Sequence, residues 1–240
     1  MKIAILGYGK MGKEIEKIAL DRKHKITLII DINNLNDFTV DNLKKAEVAI
    51  DFSTPESAYT NIMKCFEAGI PIVSGTTGWL QRLNELLDFC RKNKKTFFYA
   101  SNYSIGVNIF FDINRKLARL MNGFFDYNVS IEEIHHIHKL DAPSGTAITL
   151  ANDIINELDR KETWVLGAEK DTNTISVNAI REDEIPGTHC VKYKSIVDII
   201  EIKHSTINRK GLALGAVLAA EYILNKTGYY TMNDLMHAEL

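Results

Sequence analysis

Short apolar runs alternate with helical segments over the first hundred residues of the chain. The runs KIAIL (2–6), ITLII (26–30) and EVAIDF (47–52) are rich in β-branched residues and show little polar alternation, which is typical of buried strands. The segments between them carry apolar residues at helical spacing. Strands and helices that alternate in this way predict an α/β domain whose parallel sheet is covered on both faces.

The pattern changes after residue 104. A helical segment around 109–120 leads to the strand-like run NVSIEEIHHIH (128–138) and to a second helix at about 146–158. Three further strand-like runs follow, TISVNAI, THCVKY and IVDIIEIKH, and then an apolar helix at 211–225. Consecutive strands with few helices predict a second α+β domain with an open mixed sheet.

Composition limits the range of partners. The 240 residues are 45% apolar with a formal net charge of −2, so no strong positive field attracts nucleic acid or an anionic membrane. The longest apolar stretch, LALGAVLAA (212–220), is too short for a membrane span, and the apolar start of the chain is too short for a signal peptide. The three cysteines are far apart and have no metal or redox spacing. We therefore expect a cytoplasmic protein with no nucleic-acid or membrane partner.

A glycine-rich turn, ILGYGKMG (5–12), joins the first predicted strand to the first predicted helix. Gly7, Gly9 and Gly12 have the G-x-G-x-x-G spacing that lets backbone amides face a pyrophosphate at a helix N-terminus. Asp31 ends the second predicted strand, where an acid hydrogen-bonds the adenosine ribose hydroxyls. These features predict a Rossmann-like nucleotide-binding domain. The alternative is a glycine-rich turn and an unrelated surface aspartate.

The residues after Asp31 bear on the choice of nucleotide. Asp31 is followed by Ile-Asn-Asn, so no adjacent cation offsets the repulsion between its carboxylate and a 2′-phosphate. We expect NADH to be preferred over NADPH. Two more loops, SGTTG (74–78) and ASNYS (100–104), follow predicted strands, where open α/β sheets bind ligands. Ordinary turn chemistry is the alternative for both loops.

Three of the seven histidines lie within four positions of the stretch EEIHHIHKLDAPSGTA (132–147). An extended chain as far as residue 138 would place His135 on one face with Glu133, and His136 with His138 on the other. The plainest interpretation is a set of half-exposed histidines that pair with the neighbouring glutamates. That interpretation leaves the rest of the stretch unexplained.

Zinc is the main alternative for the histidine stretch. His136 and His138 on one strand face could bind an ion, with His189 or His204 as the third ligand. Because that third ligand comes only from a distant part of the sequence, we expect no metal site.

The residues after the histidines can form an anion site. In an extended chain Lys139 would lie about 13 Å from His135, so both can reach one small substrate only if the chain turns. The segment 141–145, with its proline and glycine, is suited to such a turn. Ser144 can then cap a helix whose first amides, at Gly145 and Thr146, point outward. A proton donor, a cation and a helix N-terminus on one segment favour reduction of a small carboxylated molecule.

The pattern E-x-H-H-x-x-K-x-D-x-P-S-G-T-A (133–147) resembles the signature of the dihydrodipicolinate reductases, also called 4-hydroxy-tetrahydrodipicolinate reductases, of lysine and diaminopimelate biosynthesis. The resemblance covers nearly the whole chain. It includes the glycine turn, DFSTPE (51–56), GTTG (75–78), ASNYSIGVN (100–108) and HSTINR (204–209). The chain departs from the family at Leu6, where many relatives have another glycine, in the segment after Arg181, which lacks a glycine, and in a shorter link between the second and third strands.

The resemblance implies a dinucleotide-binding domain at 1–104 and 210–240, and a substrate-binding and oligomerisation domain at 105–209 that builds a homotetramer. It also implies that NAD(P)H gives a hydride to C4 of a conjugated cyclic imine dicarboxylate, which is then protonated at C3 to give tetrahydrodipicolinate. His135 and Lys139 are implied as proton donors. A nearby cation would stabilise the charge that develops as the hydride arrives.

Residue by residue, the resemblance implies two sets of contacts. The cofactor contacts are Gly7, Tyr8, Gly9, Lys10, Met11, Gly12, Asp31, Gly75, Thr76, Thr77, Ala100, Ser101, Asn102 and Tyr103. The substrate contacts are His136, Lys139, Ser144, Gly145, Thr146 and Arg209. Two other functions stay open, a zinc-dependent enzyme and a non-catalytic nucleotide sensor. A sensor would be expected to have lost part of the histidine–lysine segment, which is intact here.

Overall fold

The computed structural model describes residues 1–168, 171–208 and 210–238. The chain divides into two compact units, Met1–Ile105 with Lys210–Leu240, and Gly106–Arg209. No helix among the described residues is long and apolar enough to cross a membrane.

The first unit is built on a parallel sheet. Its strands are β1 (Lys2–Leu6), β2 (Lys25–Ile30), β3 (Val48–Asp51), β4 (Ile72–Ser74), β5 (Thr96–Tyr99) and β11 (Gly228–Tyr230), in the order β2-β1-β3-β4-β5-β11. Its helices are α1 (Lys10–Asp21), α2 (Val40–Leu43), α3 (Pro55–Ala68), α4 (Leu83–Lys92), α7 (Lys210–Ile223) and α8 (Met232–Met236). Every strand pairing in this sheet is parallel, as the sequence predicts.

Both faces of this sheet are covered, which explains its apolar strands. On β1, Ala4 and Leu6 pack against α3 and α4, while Ile3 and Ile5 pack against α1 and α7. Helix α7 comes very close to the sheet's loops, since a Cβ atom at Gly215 would lie 1.7 Å from the backbone oxygen of Tyr103. Strand β11 was not predicted, because three residues carry no periodicity to read.

The second unit has a mixed sheet. Its strands are β6 (Asn128–His135), β7 (Thr163–Leu166), β8 (Thr174–Arg181), β9 (Thr188–Lys194) and β10 (Ile199–Ser205), in the order β10-β9-β6-β8-β7. Strand β6 pairs parallel with β8 and antiparallel with β9, so the predicted mixed sheet is confirmed. The helices α5 (Ile105–Met121) and α6 (Gly145–Glu157) supply buried residues to a core that includes one face of β6. Strand β7 was not predicted from the sequence.

The predicted extent of β6 was wrong at its end. The strand stops at His135 rather than at residue 138. Its pairing with β8 ends at His135 opposite Arg181, and β8 itself ends there, so no neighbouring strand remains to extend the ladder. The amide of Lys139 instead donates to the carbonyl of His136 in a turn. His136 and His138 therefore do not share a strand face.

Candidate active site

The strands of the first sheet end together. Ile30, Leu6, Asp51, Ser74 and Tyr99 are register partners across β2, β1, β3, β4 and β5. Because all these strands are parallel, the predicted cofactor loops begin along a single edge of the sheet. The order of the strands reverses direction between β1 and β3, and open α/β sheets bind ligands at such a point.

The three glycines of the first turn have three different surroundings. Gly7 has a φ of +89°, and a Cβ atom there would lie 2.3 Å from the carbonyl oxygen of Phe52. At Gly12 a Cβ atom would lie 2.2 Å from the carbonyl oxygen of Gly7, so helix and turn pack directly together. Gly9, which caps α1, would meet nothing within 4 Å. The open space at Gly9 and the outward first amides of α1 fit a bound pyrophosphate.

Asp31 and the remaining residues of the turn lie on the same edge. Asp31 is half-buried directly after β2, and its Oδ1 accepts the amide of Ile32 at 2.7 Å. Lys10 is exposed, and Met11 is half-buried. Tyr8 donates its hydroxyl to Glu16. The hydrogen bond to Glu16 raises the pKa of Tyr8. These residues lie at the sheet edge where a cofactor is predicted to bind, and their contacts with it stay predictions.

The loops after β4 and β5 contain both inward-facing and outward-facing residues. A Cβ atom at Gly75 would lie 2.2 Å from the ring of Phe52, so a larger residue there would displace that ring. Tyr103 is buried and donates its hydroxyl to the carbonyl of Ser74 at 2.7 Å. Thr76 and Ala100 are also buried, Asn102 is half-buried, and Thr77 and Ser101 are exposed. A ligand at this edge would meet the exposed pair first.

Asp51, at the end of β3, has a part in these loops that the sequence did not reveal. The side chain is fully buried. Its two carboxylate oxygens accept hydrogen bonds from Ser53 at 2.7 Å, Asn61 at 2.9 Å, Ser74 at 3.0 Å and Thr76 at 2.9 Å. Burial raises the pKa of Asp51, and these four neutral donors offset only part of that rise. The carboxyl group thus joins the loop after β3 to the loop after β4.

Glu133 is a fully buried acid in the second unit, as Asp51 is in the first. Strand β6 alternates, so Glu133 falls on the covered face, where it is fully buried. Its Oε1 accepts the amide of Ser144 at 3.0 Å and Nη2 of Arg181 at 3.2 Å. Its Oε2 lies 3.1 Å from Nδ1 of His135 and 3.6 Å from Nε2 of His189. Burial alone would raise the pKa of Glu133, but its contacts with the two histidines and Ser144 outweigh burial and lower it.

His135 and His189 face the same carboxylate from neighbouring strands. Glu133 and His189 are register partners across β6 and β9. The two imidazole rings meet edge to face with centroids 5.0 Å apart, and both are buried. Gly187 lies against His135, since a Cβ atom there would be 3.0 Å from Nε2. Burial lowers the pKa of His189, and Glu133 opposes that change.

Lys139 lies in the turn after β6. Its ammonium group contacts both oxygens of Asp141, at 2.7 and 2.8 Å. The hydrogen bond from Lys139 lowers the pKa of Asp141. Arg181 holds the same turn by donating to the carbonyl of Lys139 at 3.2 Å and to the carbonyl of Asp141 at 2.5 Å. Arg181 was noted in the sequence only for its neighbourhood, and its partners lie too far along the chain for spacing to reveal them.

The start of α6 is placed as predicted for an anion site. Ser144 caps the helix, and its hydroxyl accepts the amide of Ala147 at 3.2 Å. The same hydroxyl lies 3.0 Å from Nε2 of His189 and is buried. Gly145 is exposed and Thr146 is half-buried, so the free amides of the first turn are accessible. Because the Ser144 hydroxyl already has two partners, the amides of Gly145 and Thr146 are the more accessible groups for a carboxylate.

His136 and His138 follow β6 in the histidine stretch. His136 is half-buried with its ring centroid 5.9 Å from that of His138. His138 is exposed and contacts Glu184 at 2.9 Å. Arg209, predicted to contact substrate, lies outside the described residues.

The histidines group differently from the pair considered in the zinc alternative, His136 and His138. Within the described part of the chain, ligand atoms of Glu133, His135 and His189 lie within 4.8 Å of one another. These atoms already face each other as carboxylate and imidazole partners, with Arg181 on the other carboxylate oxygen. The arrangement is that of a buried acid holding two rings.

Comparisons with known proteins agree along the whole chain. Residues 1–103 match the family model "Dihydrodipicolinate reductase, N-terminus", and residues 106–236 match "Dihydrodipicolinate reductase, C-terminus". A 4-hydroxy-tetrahydrodipicolinate reductase of Christiangramia forsetii is 52% identical over 240 residues, covering 98% of each chain. That of Thermosipho africanus is 34% identical, also over 98% of each chain.

A solved structure shares the fold. Dihydrodipicolinate reductase from Paenisporosarcina sp. TG-14, solved with dipicolinate bound, superposes with a TM-score of 0.78 at 23% identity, over 96% of this chain and 97% of the other. The two family models together span both units, and a relative is more than half identical from end to end. The chain therefore belongs to the dihydrodipicolinate reductase family, whose members are NAD(P)H-dependent oxidoreductases.

Proposed function

We propose that the protein is a 4-hydroxy-tetrahydrodipicolinate reductase, which reduces the conjugated cyclic imine of lysine and diaminopimelate biosynthesis to tetrahydrodipicolinate. Two observations support the proposal. A relative with this name is 52% identical along the whole chain. In the segment 133–147, His135 lies beside Glu133, Lys139 contacts Asp141, and Ser144 caps the start of α6. The first unit then serves as the dinucleotide-binding domain and the second as the substrate-binding domain.

The substrate's carboxylates would be held by residues of the second unit. The ammonium group of Lys139 already contacts both carboxylate oxygens of Asp141. A substrate carboxylate can replace Asp141 there, because Asp141 is 60% exposed on its side chain and free to swing into solvent. The amides of Gly145 and Thr146 would hold the second carboxylate, with His136, Ser144 and Arg209 as further contacts. Electrostatics thus favours a small dianion as substrate.

Proton delivery falls to His135 and Lys139. Residues 7–12 and Asp31, with the loops at 75–77 and 100–103, would hold the dinucleotide, which would supply the hydride. The imidazolium of His135 or the ammonium of Lys139 stabilises the negative charge that develops on the ring, and one of them then protonates the enamine carbon.

The reductase assay tests this function directly. The substrate is made in place by condensing pyruvate with aspartate semialdehyde, and NADH loss is followed by absorbance. We expect Lys139→Ala to lower kcat by about 10²–10⁴-fold with nucleotide binding intact, because a general acid contributes about that much. His138→Ala, in the same turn but exposed, is the matched control and should stay near the wild-type rate. No substrate-dependent NADH loss in the wild type would refute the proposal.

We propose that NADH is preferred over NADPH. The support is Asp31, whose carboxylate follows β2 at the sheet edge and is followed by three uncharged residues. A 2′-phosphate beside it would meet a negative charge with no adjacent cation. The ratio of kcat/KM for the two nucleotides measures the preference, and a ratio above about ten in favour of NADPH would contradict it.

We further propose a cytoplasmic homotetramer that uses no metal. Strand β10 is an edge strand of the second sheet, and its exposed Ile199 and Ile200 offer apolar side chains, one on each face, for subunit contact. Light scattering should give about four times the 27.1 kDa chain mass, and a monomer would exclude the assembly. Zinc analysis separates the remaining alternative, since one equivalent per chain that is lost on His136→Ala or His138→Ala would favour a zinc enzyme.

A further inference from the structure

Glu133 stands out as a buried charged side chain to which no role in the reaction has yet been given. An ionised carboxylate in a protein core is costly unless its oxygens are paired. Every contact of Glu133 described above is to a group of the substrate-binding segment or to a residue that supports it. The carboxylate therefore stabilises the shape of this segment more than the core in general.

The contact with His135 distinguishes the two ring nitrogens. Nδ1 lies 3.1 Å from Oε2 of Glu133, so this nitrogen keeps its hydrogen toward the carboxylate. The contact is close but not ideally aligned, as is common before substrate binds. Nε2 is turned away from Glu133, toward Gly187, where the missing side chain leaves it room. Only the proton on Nε2 can then be given to a substrate.

The other oxygen of Glu133 reaches the rest of the segment. Through the amide of Ser144 it fixes the start of α6, and through Arg181 it fixes the turn that carries Lys139. His189 supports the arrangement from β9, between Ser144 and the ring of His135. One side chain thus connects the proton donor, the cation and the helix N-terminus.

We propose that Glu133 is a positioning residue, which keeps Nδ1 of His135 protonated so that Nε2 delivers the proton, and which sets the α6 start and the Lys139 turn around that ring. The inference rests on the proposed reductase function. In the proton step the Nε2–H bond of the imidazolium breaks, a C–H bond forms at the enamine carbon, and His135 is left as the neutral Nδ1–H tautomer facing Glu133.

Nitrogen NMR of the wild-type protein tests the tautomer without any variant. Histidines are labelled with ¹⁵N, and the His135 signals are identified by their loss in His135→Asn. At about pH 8.5, where imidazoles are mostly neutral, we expect Nδ1 to be protonated and Nε2 to be bare. The opposite tautomer would overturn the proposal. This measurement needs no turnover, so it can succeed or fail separately from the reductase assay.

Kinetics test the positioning role. Glu133→Gln keeps the shape but loses the charge, and we expect kcat to fall at least about tenfold, as when other carboxylate partners of functional histidines are removed. KM for NADH should change less than about twofold, because the nucleotide contacts belong to the first unit. Glu133→Asp should recover part of kcat. Glu132→Gln, one position away on the exposed face of β6, is the matched control and should leave kcat unchanged.

Two kinetic outcomes would count against the proposal. One is a Glu133→Gln enzyme with wild-type kcat. The other is an equal loss of kcat and of active protein in Glu133→Gln and Glu133→Asp, which indicates a merely structural role. If Glu133→Gln does not fold, the wild-type tautomer and the Glu133→Asp kinetics still decide the matter.

Discussion

Two fully buried carboxylates, Asp51 in the first unit and Glu133 in the second, show opposite electrostatics in similar settings. Both lie on the inside of a sheet, and both have several close partners. The partners of Asp51 are three hydroxyls and an amide, and burial raises its pKa. The partners of Glu133 include a guanidinium and two imidazoles, and its pKa is lowered.

The difference teaches that the kind of partner decides whether hydrogen bonds outweigh burial. At Asp51 the hydroxyl and amide donors offset only part of the effect of burial, and they join two loops. At Glu133 the hydrogen bonds from two imidazoles and from Ser144 outweigh burial and favour the ionised carboxylate beside the proposed proton donor. The same fold thus uses one buried acid for architecture and another beside the proposed chemistry.

The largest expected effect is on the free energy of unfolding, which should fall more on replacement of Glu133 than on replacement of Asp51. Glu133→Gln should lower the free energy of unfolding by about 3 kcal/mol, because the fully buried carboxylate loses its charge beside the half-buried Arg181 and two histidines. Asp51→Asn should cost only about 1–2 kcal/mol. The hydroxyls of Ser74 and Thr76 can rotate to accept from the new amide, whereas a guanidinium cannot accept at all. Urea unfolding measures both, and a larger cost for Asp51→Asn would break the comparison.

The pH dependence of stability should have opposite signs at the two sites. A lowered carboxyl pKa gives stability that is present above the unfolded value of 4.5 and lost as pH falls, so the deficit of Glu133→Gln should shrink below that pH. The lowered pKa of His189 acts in the same direction, from its unfolded value of 6.5 downward. A raised carboxyl pKa gives stability that is fully present below the unfolded value of 3.8 and lost as pH rises, so the deficit of Asp51→Asn should be largest below pH 3.8 and shrink above it.

Unfolding free energies of wild type and both variants, measured across this range, give the two differences directly. Parallel pH trends for the two variants would contradict the opposite directions of the two pKa shifts. A trend for Asp51→Asn that follows Glu133→Gln would show that the pKa of Asp51 is lowered like that of Glu133.

The sequence predicted the parts of both sites that depend on local order. Gly7, Gly9 and Gly12 follow a strand and begin a helix, so their place at the sheet edge could be predicted from spacing. The cap at Ser144 and the amides after it follow from one short segment. The catalytic roles of His135 and Lys139 came from the family resemblance and remain predictions.

Long-range partners could not be predicted in this way. Asp51 meets Thr76 across 25 residues, and Glu133 meets Arg181 across 48. No periodicity or spacing rule links such positions, because the sheet order brings them together. The end of β6 was misplaced for the same reason, since it depends on where β8 stops. A buried acid at the end of an apolar strand, as in VAID, is the one local signal that could have drawn attention to Asp51.

The smallest expected effect concerns the stability that a single hydrogen-bond donor to Asp51 contributes. Asn61 donates to Asp51 at 2.9 Å and to Ser53 at 3.0 Å, so Asn61→Ala should cost about 1 kcal/mol of unfolding free energy. Asn93→Ala, which removes an exposed amide, is the matched control and should stay within about 0.5 kcal/mol. In the Asn61→Ala, Asp51→Ala double variant the costs should not add, because both substitutions remove the same hydrogen bond. Full additivity would mean that Asn61 stabilises α3 independently of Asp51. The Asp51 carboxylate would then be stabilised by its three hydroxyl partners alone.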